Sequence, residues 1–412
     1  MDLLLNHARP LIMHVDLNSC FATIEQQANP LYRKKPLAVA AYDSPRGMVI
    51  ASSYEAKAKG IKLGVNVAEA REIDPNVIVL MPDPPKYREA HKRFREVLSD
   101  YTSAVVAKSI DEFVVDFQGS PAIREGRDLV DVGYEIKHRI KDHLGSYVTV
   151  NVGIGTNRFW AKTAAGLNKP DGLNVMSADN AVNIFSKLSL TDLCGINYRY
   201  EARLNTAGIY TPLHFLASSQ DTLKKRVFKS IVGNQWFSRL RGWEVDNVVW
   251  DKKSVGHNYA IGRKTKDVNE LSRLLMKLTY KVGRRLRKYG FSARGIYLSL
   301  GFQDGYSWSK GCDTHSLMYS HADIYRHAER LLHEAYISDK ATHISVAVYG
   351  LVQTEPEQLS IFGGTRMDGK ALSDACDAIN DKYGDYTVEP ATMIGMEDLI
   401  IDRIAFGSVK DL

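Results

Sequence analysis

Three acidic residues stand where apolar segments end. Asp16 closes the run Leu-Ile-Met-His-Val-Asp at 11–16, and Asp111 and Glu112 sit between two β-like runs, 104–110 and 113–117. If neighbouring strands bring these positions to one sheet edge, three carboxylates meet and repel unless a cation lies between them. Magnesium takes oxygen ligands and needs few from the protein. Two such ions, about 3.5–4 Å apart, lower the pKa of an attacking hydroxyl and neutralise a leaving pyrophosphate in phosphoryl transfer. On spacing alone, Asp16 could also cap a following helix, and Asp111-Glu112 could be an ordinary acidic turn.

The elements that must position these residues can be read from the pattern. A buried strand over 11–16 leads into a helix over 19–28. Apolar runs at 37–42, 48–52 and 77–81 read as strands, and 53–59 reads as a helix. Pro82, Pro84 and Pro85 stop the strand before a helix from about Tyr87 to Ser99. After the hairpin at 104–117, Leu129, Val132, Ile136 and Ile140 mark an amphipathic helix, 148–154 a strand, and 157–167 a helix. Strands mixed with covering helices predict an α+β layer. From Ala181 to Gly242 come short helices punctuated by glycine. A long helix (268–289), a strand (293–301), a helix (322–336) and a strand (343–351) follow a linker-like stretch.

The chain has 412 residues, 44% hydrophobic and 25% charged, which fits several soluble globular domains. Four cysteines are scattered with no Cys/His cluster, which argues against a disulfide framework or a zinc site and fits a reducing cytoplasm. Neither a signal peptide nor a membrane span is expected. The formal charge of +6 is unevenly spread: residues 251–352 carry 17 Lys and Arg against 9 Asp and Glu, and residues 353–412 carry 5 against 12. The basic block is either a nucleic-acid footprint or a solvated surface.

The motifs themselves are familiar. His14-Val15-Asp16-Leu17-Asn18-Ser19-Cys20-Phe21-Ala22 and Ser109-Ile110-Asp111-Glu112 resemble the two catalytic motifs of Y-family, translesion DNA polymerases. Ala51-Ser52-Ser53-Tyr54-Glu55-Ala56-Lys57, the run 153–162 (Gly-Ile-Gly-Thr-Asn-Arg-Phe-Trp-Ala-Lys), and Asn168-Lys169-Pro170-Asp171-Gly172 extend the likeness in the family's order. Within the family, the bacterial UmuC-type, DNA polymerase IV-like branch is the nearest, partly because Asn18 stands where other branches often have Asp.

The resemblance implies an α+β right-handed polymerase. The palm would be 1–27 and 83–176, small fingers 28–82, a helical thumb 177–244, a linker 245–253, an α/β little finger 254–352, and a tail 353–412. It implies two Mg2+ ions on Asp16, Asp111 and Glu112, helped by the Leu17 carbonyl. It implies Phe21 as the steric gate against a ribose 2′-hydroxyl, with Tyr54, Lys57 and Lys169 on the triphosphate. Lys57 stands where the family usually has Arg, so its contact lacks a bidentate fork. Tyr87-Arg88 could serve the same pocket.

For DNA, residues 190–217 resemble a helix-hairpin-helix, whose turn glycines, Gly195 and Gly208, let backbone N–H groups approach phosphate. Asn197 replaces its usual second glycine. Lys252, Lys253, Arg263, Lys264 and Lys266 would lie beside phosphates. Arg284, Arg285, Arg287 and Lys288 read as one solvated helix end. Gln358-Leu359-Ser360-Ile361-Phe362 resembles the bacterial sliding-clamp peptide, and the residues after it read as an acidic tail with an amphipathic run at 370–382. The implied function is low-fidelity synthesis across damaged template without proofreading, on primer-template DNA with dNTP. A processed accessory subunit is a possible further partner. The rivals are a nucleotidyl cyclase with a palm-like sheet and an inactive DNA-binding repair scaffold.

Overall fold

The computed structural model describes residues 3–248, 251–354 and 366–400. The chain forms two compact units, one running to Val248 and one beginning at Val249. In the first unit the strands are β1 (Ile12–Leu17), β2 (Leu37–Ala40), β3 (Val49–Ser52), β4 (Ile78–Leu80), β5 (Val105–Ala107), β6 (Glu112–Asp116), β7 (Val150–Gly155) and β8 (Leu173–Met176). In the second they are β9 (Ser254–Thr265), β10 (Phe291–Phe302), β11 (Ser307–Met318) and β12 (Ala341–Gln353).

The large sheet of the first unit has the order β5-β6-β1-β7-β8. Its central strand, β1, is antiparallel to both neighbours and buried on both faces, which is why its sequence is nearly all apolar. Alternation sends Met13, Val15 and Leu17 to one face. There they join Phe113, Val115, Val150, Val152 and Ile154 in the main core, with Phe94, Val97, Val132, Ile136 and Ile140 from the helices Pro84–Ser99 and Leu129–Leu144. Ile12, His14 and Asp16 fall on the other face. Ile12 and Val114 there meet Ala161 of the helix Arg158–Gly166. The helix after the prolines begins earlier than the sequence reading places it, at Pro84. Prolines fit a first turn that needs no N–H donors, and the Asp83 side chain accepts from the Lys86 N–H.

The small sheet β3-β2-β4 has its own core of Ala38, Val49, Ala56, Ile61, Ala70 and Val77. Ser53 caps the helix Tyr54–Ala58, and an Asn66/Glu69 capping box starts the helix Val67–Ile73. In the segment expected as a helix-hairpin-helix, a 3₁₀ turn (Leu190–Asp192) precedes the helices Tyr198–Thr206 and Pro212–Ala217. Asn197 is the N-cap of the first of these helices, accepting from the N–H groups of Arg199 and Tyr200. That role requires a side-chain oxygen that glycine lacks.

The second unit is an antiparallel sheet, β11-β10-β12-β9, packed on the helices Val268–Lys288 and His321–His333. Strand β11 has no apolar run in sequence because it is an edge strand, with most of its residues exposed or half-exposed. The acidic segment read as a tail is folded onto this unit. Helix Arg366–Tyr383 sets Asp377 bidentate against Arg287, with both bonds under 3 Å, and Asp381 against Arg284, which Asp385 just beyond the helix also meets. Met396 and Ile400 enter the core of the unit, and the buried Lys277 and Lys281 donate to the Met396 and Ile400 carbonyls. The helix end 284–288 is therefore not simply solvated, since Arg284 and Arg287 are neutralised from within the chain. Among the described residues, no helix is long and apolar enough to cross a membrane.

Candidate active site

The register of β1 and β6 makes Asp16 and Glu112 direct partners across the ladder, and the Leu17 N–H donates to the Asp111 carbonyl at 2.8 Å. The three expected carboxylates therefore meet at one sheet edge. Their charges are felt mutually. Burial, then the charges of Asp16 and Glu112, hold Asp111 above the ordinary carboxylate range, although the Ser109 hydroxyl donates to it at 2.5 Å. Burial raises the thiol of Cys20, and Asp111 and Asp16 push it further.

Two of the carboxylates carry an ammonium partner. Lys169 Nζ lies 2.7 Å from Asp16 Oδ2, and Lys162 Nζ lies 2.6 Å from Glu112 Oε2. Burial opposes the charge on Glu112, but His14 and Lys162 together pull its pKa down to about 2. Burial also opposes the charge on Lys162, yet Glu112 holds that ammonium above its ordinary range.

The run 153–162 explains how Lys162 gets there. A Cβ on Gly153 would fall 2.0 Å from the Ala161 carbonyl oxygen, and one on Gly155 would fall 2.5 Å from the Ala161 nitrogen. Glycine at both positions lets the helix Arg158–Gly166 lie directly on β7. Asn157 caps that helix through the Trp160 N–H, and its amide donates to the Arg239 and Trp243 carbonyls. Trp160, fully buried, donates from its indole to the Leu240 carbonyl. The same run thus seats the helix, joins it to the helical subdomain, and aims Lys162.

Lys169 is positioned separately. Asn151, on β7 opposite Asp16, donates to the Ala165 and Leu167 carbonyls and accepts from the Gly172 N–H. Asp171 is held by Lys137 and Lys141. These bonds fix both ends of the loop that carries Lys169.

From the small sheet, Tyr54 donates to the Asn18 side chain at 3.2 Å and Lys57 to the Ser19 hydroxyl at 2.7 Å. Lys57 also lies over the Tyr54 ring. Burial, then the neighbouring Lys169, lowers the pKa of Lys57, so these two ammonium groups share one locality. Phe21 is fully buried, stacked on Tyr87 with ring centroids 4.2 Å apart, and the Tyr87 hydroxyl donates to Glu25.

Several participants escaped the sequence reading as individuals. His14 shares the face of Asp16 by the period of two, Ser109 lies two residues before Asp111, and Asn151 is set by register alone. Lys162 stood in a recognised motif without a role. Of the residues expected beside DNA, Arg263 and Lys264 are exposed on β9, Lys253 is exposed before it, Lys252 lies over the Tyr289 ring, and Lys266 pairs with Asp339 at 3.0 Å. Gly195 and Gly208 both adopt positive φ, at 95° and 80°, where glycine is unstrained. Gly208 ends the helix Tyr198–Thr206 in a turn closed by Ile209 N–H to the Leu204 carbonyl. Gln358, Leu359, Ser360, Ile361 and Phe362 lie outside the described residues.

Comparison with known proteins agrees with this geometry. The impB/mucB/samB family model matches residues 15–166, and the model of that family's C-terminal domain matches residues 252–361. DNA polymerase IV of Pelotomaculum thermopropionicum is 31% identical over 95% of this chain and 97% of its own length. That of Moorella thermoacetica is 32% identical, covering 93% and 96%. Among solved structures, a Y-family DNA polymerase chimera of Dbh and Dpo4 superposes with a TM-score of 0.72 at 24% identity, over 83% of this chain and 99% of that one. The crystal structure of DinB from Sulfolobus solfataricus gives 0.54 at 25% identity, over 82% and 98%. An edge of three coupled carboxylates on a β5-β6-β1-β7-β8 sheet, a separate four-stranded unit, and relatives matching nearly end to end lead to one conclusion: the chain belongs to the Y-family DNA polymerases of the impB/mucB/samB family.

Proposed function

We propose that this chain copies damaged DNA template, adding dNTP units to a primer 3′-hydroxyl at the edge formed by Asp16, Asp111 and Glu112. The observation that carries the reading is the cross-strand pairing of Asp16 with Glu112, with Asp111 adjacent and electrostatically coupled to both. The donor set fits hard dications: all three side chains are carboxylates, two already hold a cation, and burial makes unshielded charge there unfavourable. Two Mg2+ ions would lower the hydroxyl pKa and neutralise the leaving pyrophosphate. The Leu17 carbonyl, at the end of β1, would complete the set.

The chain's own groups do the rest. Lys162 holds Glu112 ionised, and Lys169 holds Asp16 in place; bound ions would take over both contacts. Lys169 and Lys57, which bond Asp16 and Ser19 here, would meet the triphosphate from one side, with Tyr54 beside them. Lys57 supplies a point charge there rather than a guanidinium fork. Phe21, held by Tyr87, is the gate that excludes a 2′-hydroxyl. Gly195, Gly208, Lys252, Lys253, Arg263, Lys264 and Lys266 lie beside the primer-template backbone, and Gln358 to Phe362 dock on a sliding clamp. A processed accessory subunit is a further partner in this reading. A nucleotidyl cyclase is not favoured, because both the N-terminal and C-terminal family models match this chain.

The deciding experiment is extension of a primed template, intact or with an abasic site, by wild type and by Asp111→Ala. Loss of extension in the variant is expected. Equal extension by both would refute the site, and a full biological effect from the inactive variant would favour the scaffold.

A further inference from the structure

Beyond its effect on the neighbouring Glu112 carboxylate, His14 has no role in the chemistry above. Its side chain is 2% exposed, and neither ring nitrogen has a hydrogen-bond partner among the described residues. Buried imidazole nitrogens are rarely left so. Strand alternation puts the ring on the face of Asp16, and the backbone is held between Val114 of β6 and Gly153 of β7. Nε2 stands 3.6 Å from Glu112 Oε2, too far for a hydrogen bond. Yet His14, Asp16 and Glu112 each present one donor atom to a set lying within 4.8 Å of one another. Ligands of one octahedral ion with bonds of about 2.1 Å lie roughly 3–4.2 Å apart, so closing this set needs only small side-chain movements.

Resting on the two-metal reading, we propose that His14 is a nitrogen ligand to an ion shared with Asp16 and Glu112, making a mixed nitrogen/oxygen site that prefers a transition-metal dication of the Mn2+ class over Mg2+. Magnesium favours all-oxygen surroundings, whereas imidazole strengthens binding of first-row transition ions. The cation now on Glu112 Oε2 is the ammonium of Lys162, whose side chain is 36% exposed on a long flexible stem. It can leave when an ion arrives, and His14 then gains the partner it lacks. The imidazole needs no rearrangement of its own strand.

Mn2+ alone, added to the full-length chain, is the probe, read by electron paramagnetic resonance with spin-echo detection of 14N coupling. Wild type is expected to show histidine 14N coupling at its tightest Mn2+ site. In His14→Val the coupling disappears and Mn2+ affinity falls about tenfold or more, with a smaller loss for Mg2+ measured by competition. Circular dichroism checks that the variant is folded. Bound Mn2+ without 14N coupling in wild type, a measurement independent of any variant, overturns the proposal; so does coupling that persists in His14→Val. If Asp111→Asn leaves the number and affinity of bound Mn2+ ions unchanged while the 14N coupling persists, the two-metal reading fails and the His14 ligand stands, which separates the two failures.

Discussion

Asp16 and Glu112 face one another across the β1–β6 ladder, and each has a lysine ammonium within 2.7 Å of a carboxylate oxygen. Neither lysine comes from the strands: Lys162 rides on the helix Arg158–Gly166, and Lys169 on the loop that follows it. Without ions the site is thus internally neutralised in part, while Asp111, which accepts from the Ser109 hydroxyl but has no ammonium partner among the described residues, is left to bear the repulsion.

That imbalance sets opposite effects for one substitution. Asp111→Asn should lower primer extension about a thousandfold or more if Asp111 is the metal ligand proposed above, since losing one removes several kcal/mol of transition-state stabilisation. The same change should raise the midpoint of thermal unfolding in EDTA near neutral pH. The sign follows from the raised native pKa of Asp111: protonation favours the folded state, a contribution complete below the ordinary carboxylate range and lost as pH rises through the native value. Calorimetry across pH checks this, and a lower midpoint for the variant at neutral pH would contradict it.

For Glu112 the sign reverses. Its native pKa, pulled down to about 2, gives stability present above the ordinary range near 4.5 and lost as pH falls toward 2. Lys162→Met should therefore destabilise the ion-free chain at neutral pH, by about 1 kcal/mol or less because the ammonium is partly exposed. The deficit should shrink on adding Mg2+, which replaces the missing cation. Urea unfolding with and without the ion measures both, and Lys162→Arg should behave much like wild type in the absence of ions.

Gly153→Ala tests the seat of the helix. The new Cβ would overlap the Ala161 carbonyl and the Ala165 nitrogen, both backbone atoms that cannot yield alone. A loss of about 2–3 kcal/mol is expected, together with weakened metal binding as Lys162 shifts. Gly166→Ala, with open space around it, should leave stability nearly unchanged.

In the second unit, Asp377→Ala strips the partner from Arg287, whose side chain is only 4% exposed. Leaving that guanidinium without a counter-charge, with the Tyr319 carbonyl still accepting from it, should cost about 3 kcal/mol, seen as a lower urea midpoint. Asp381→Ala, at an exposed carboxylate, should have a much smaller effect.

Phe21→Ala should increase ribonucleotide incorporation, measured by extension with single rNTPs. It should also lower stability by about 3–4 kcal/mol, because the ring is fully buried on Tyr87. Unchanged sugar selectivity in a folded variant would remove Phe21 from its proposed role.

The sequence by itself determined the parts whose signal is local. The apolar run ending at Asp16, the hairpin around Asp111-Glu112, the periodicity of the long helices and the motif order made the fold class legible, because period and turn chemistry act over a few neighbouring residues. Only the tertiary structure decided which residues share the edge. Register put His14 and Asn151 beside the carboxylates. A helix pressed onto two glycines brought Lys162 to Glu112. Charge pairing across about ninety positions drew the acidic segment at 366–400 onto the arginines of the helix Val268–Lys288. These outcomes depend on strand register and on contacts between distant segments, and no window of sequence contains both halves of such a contact.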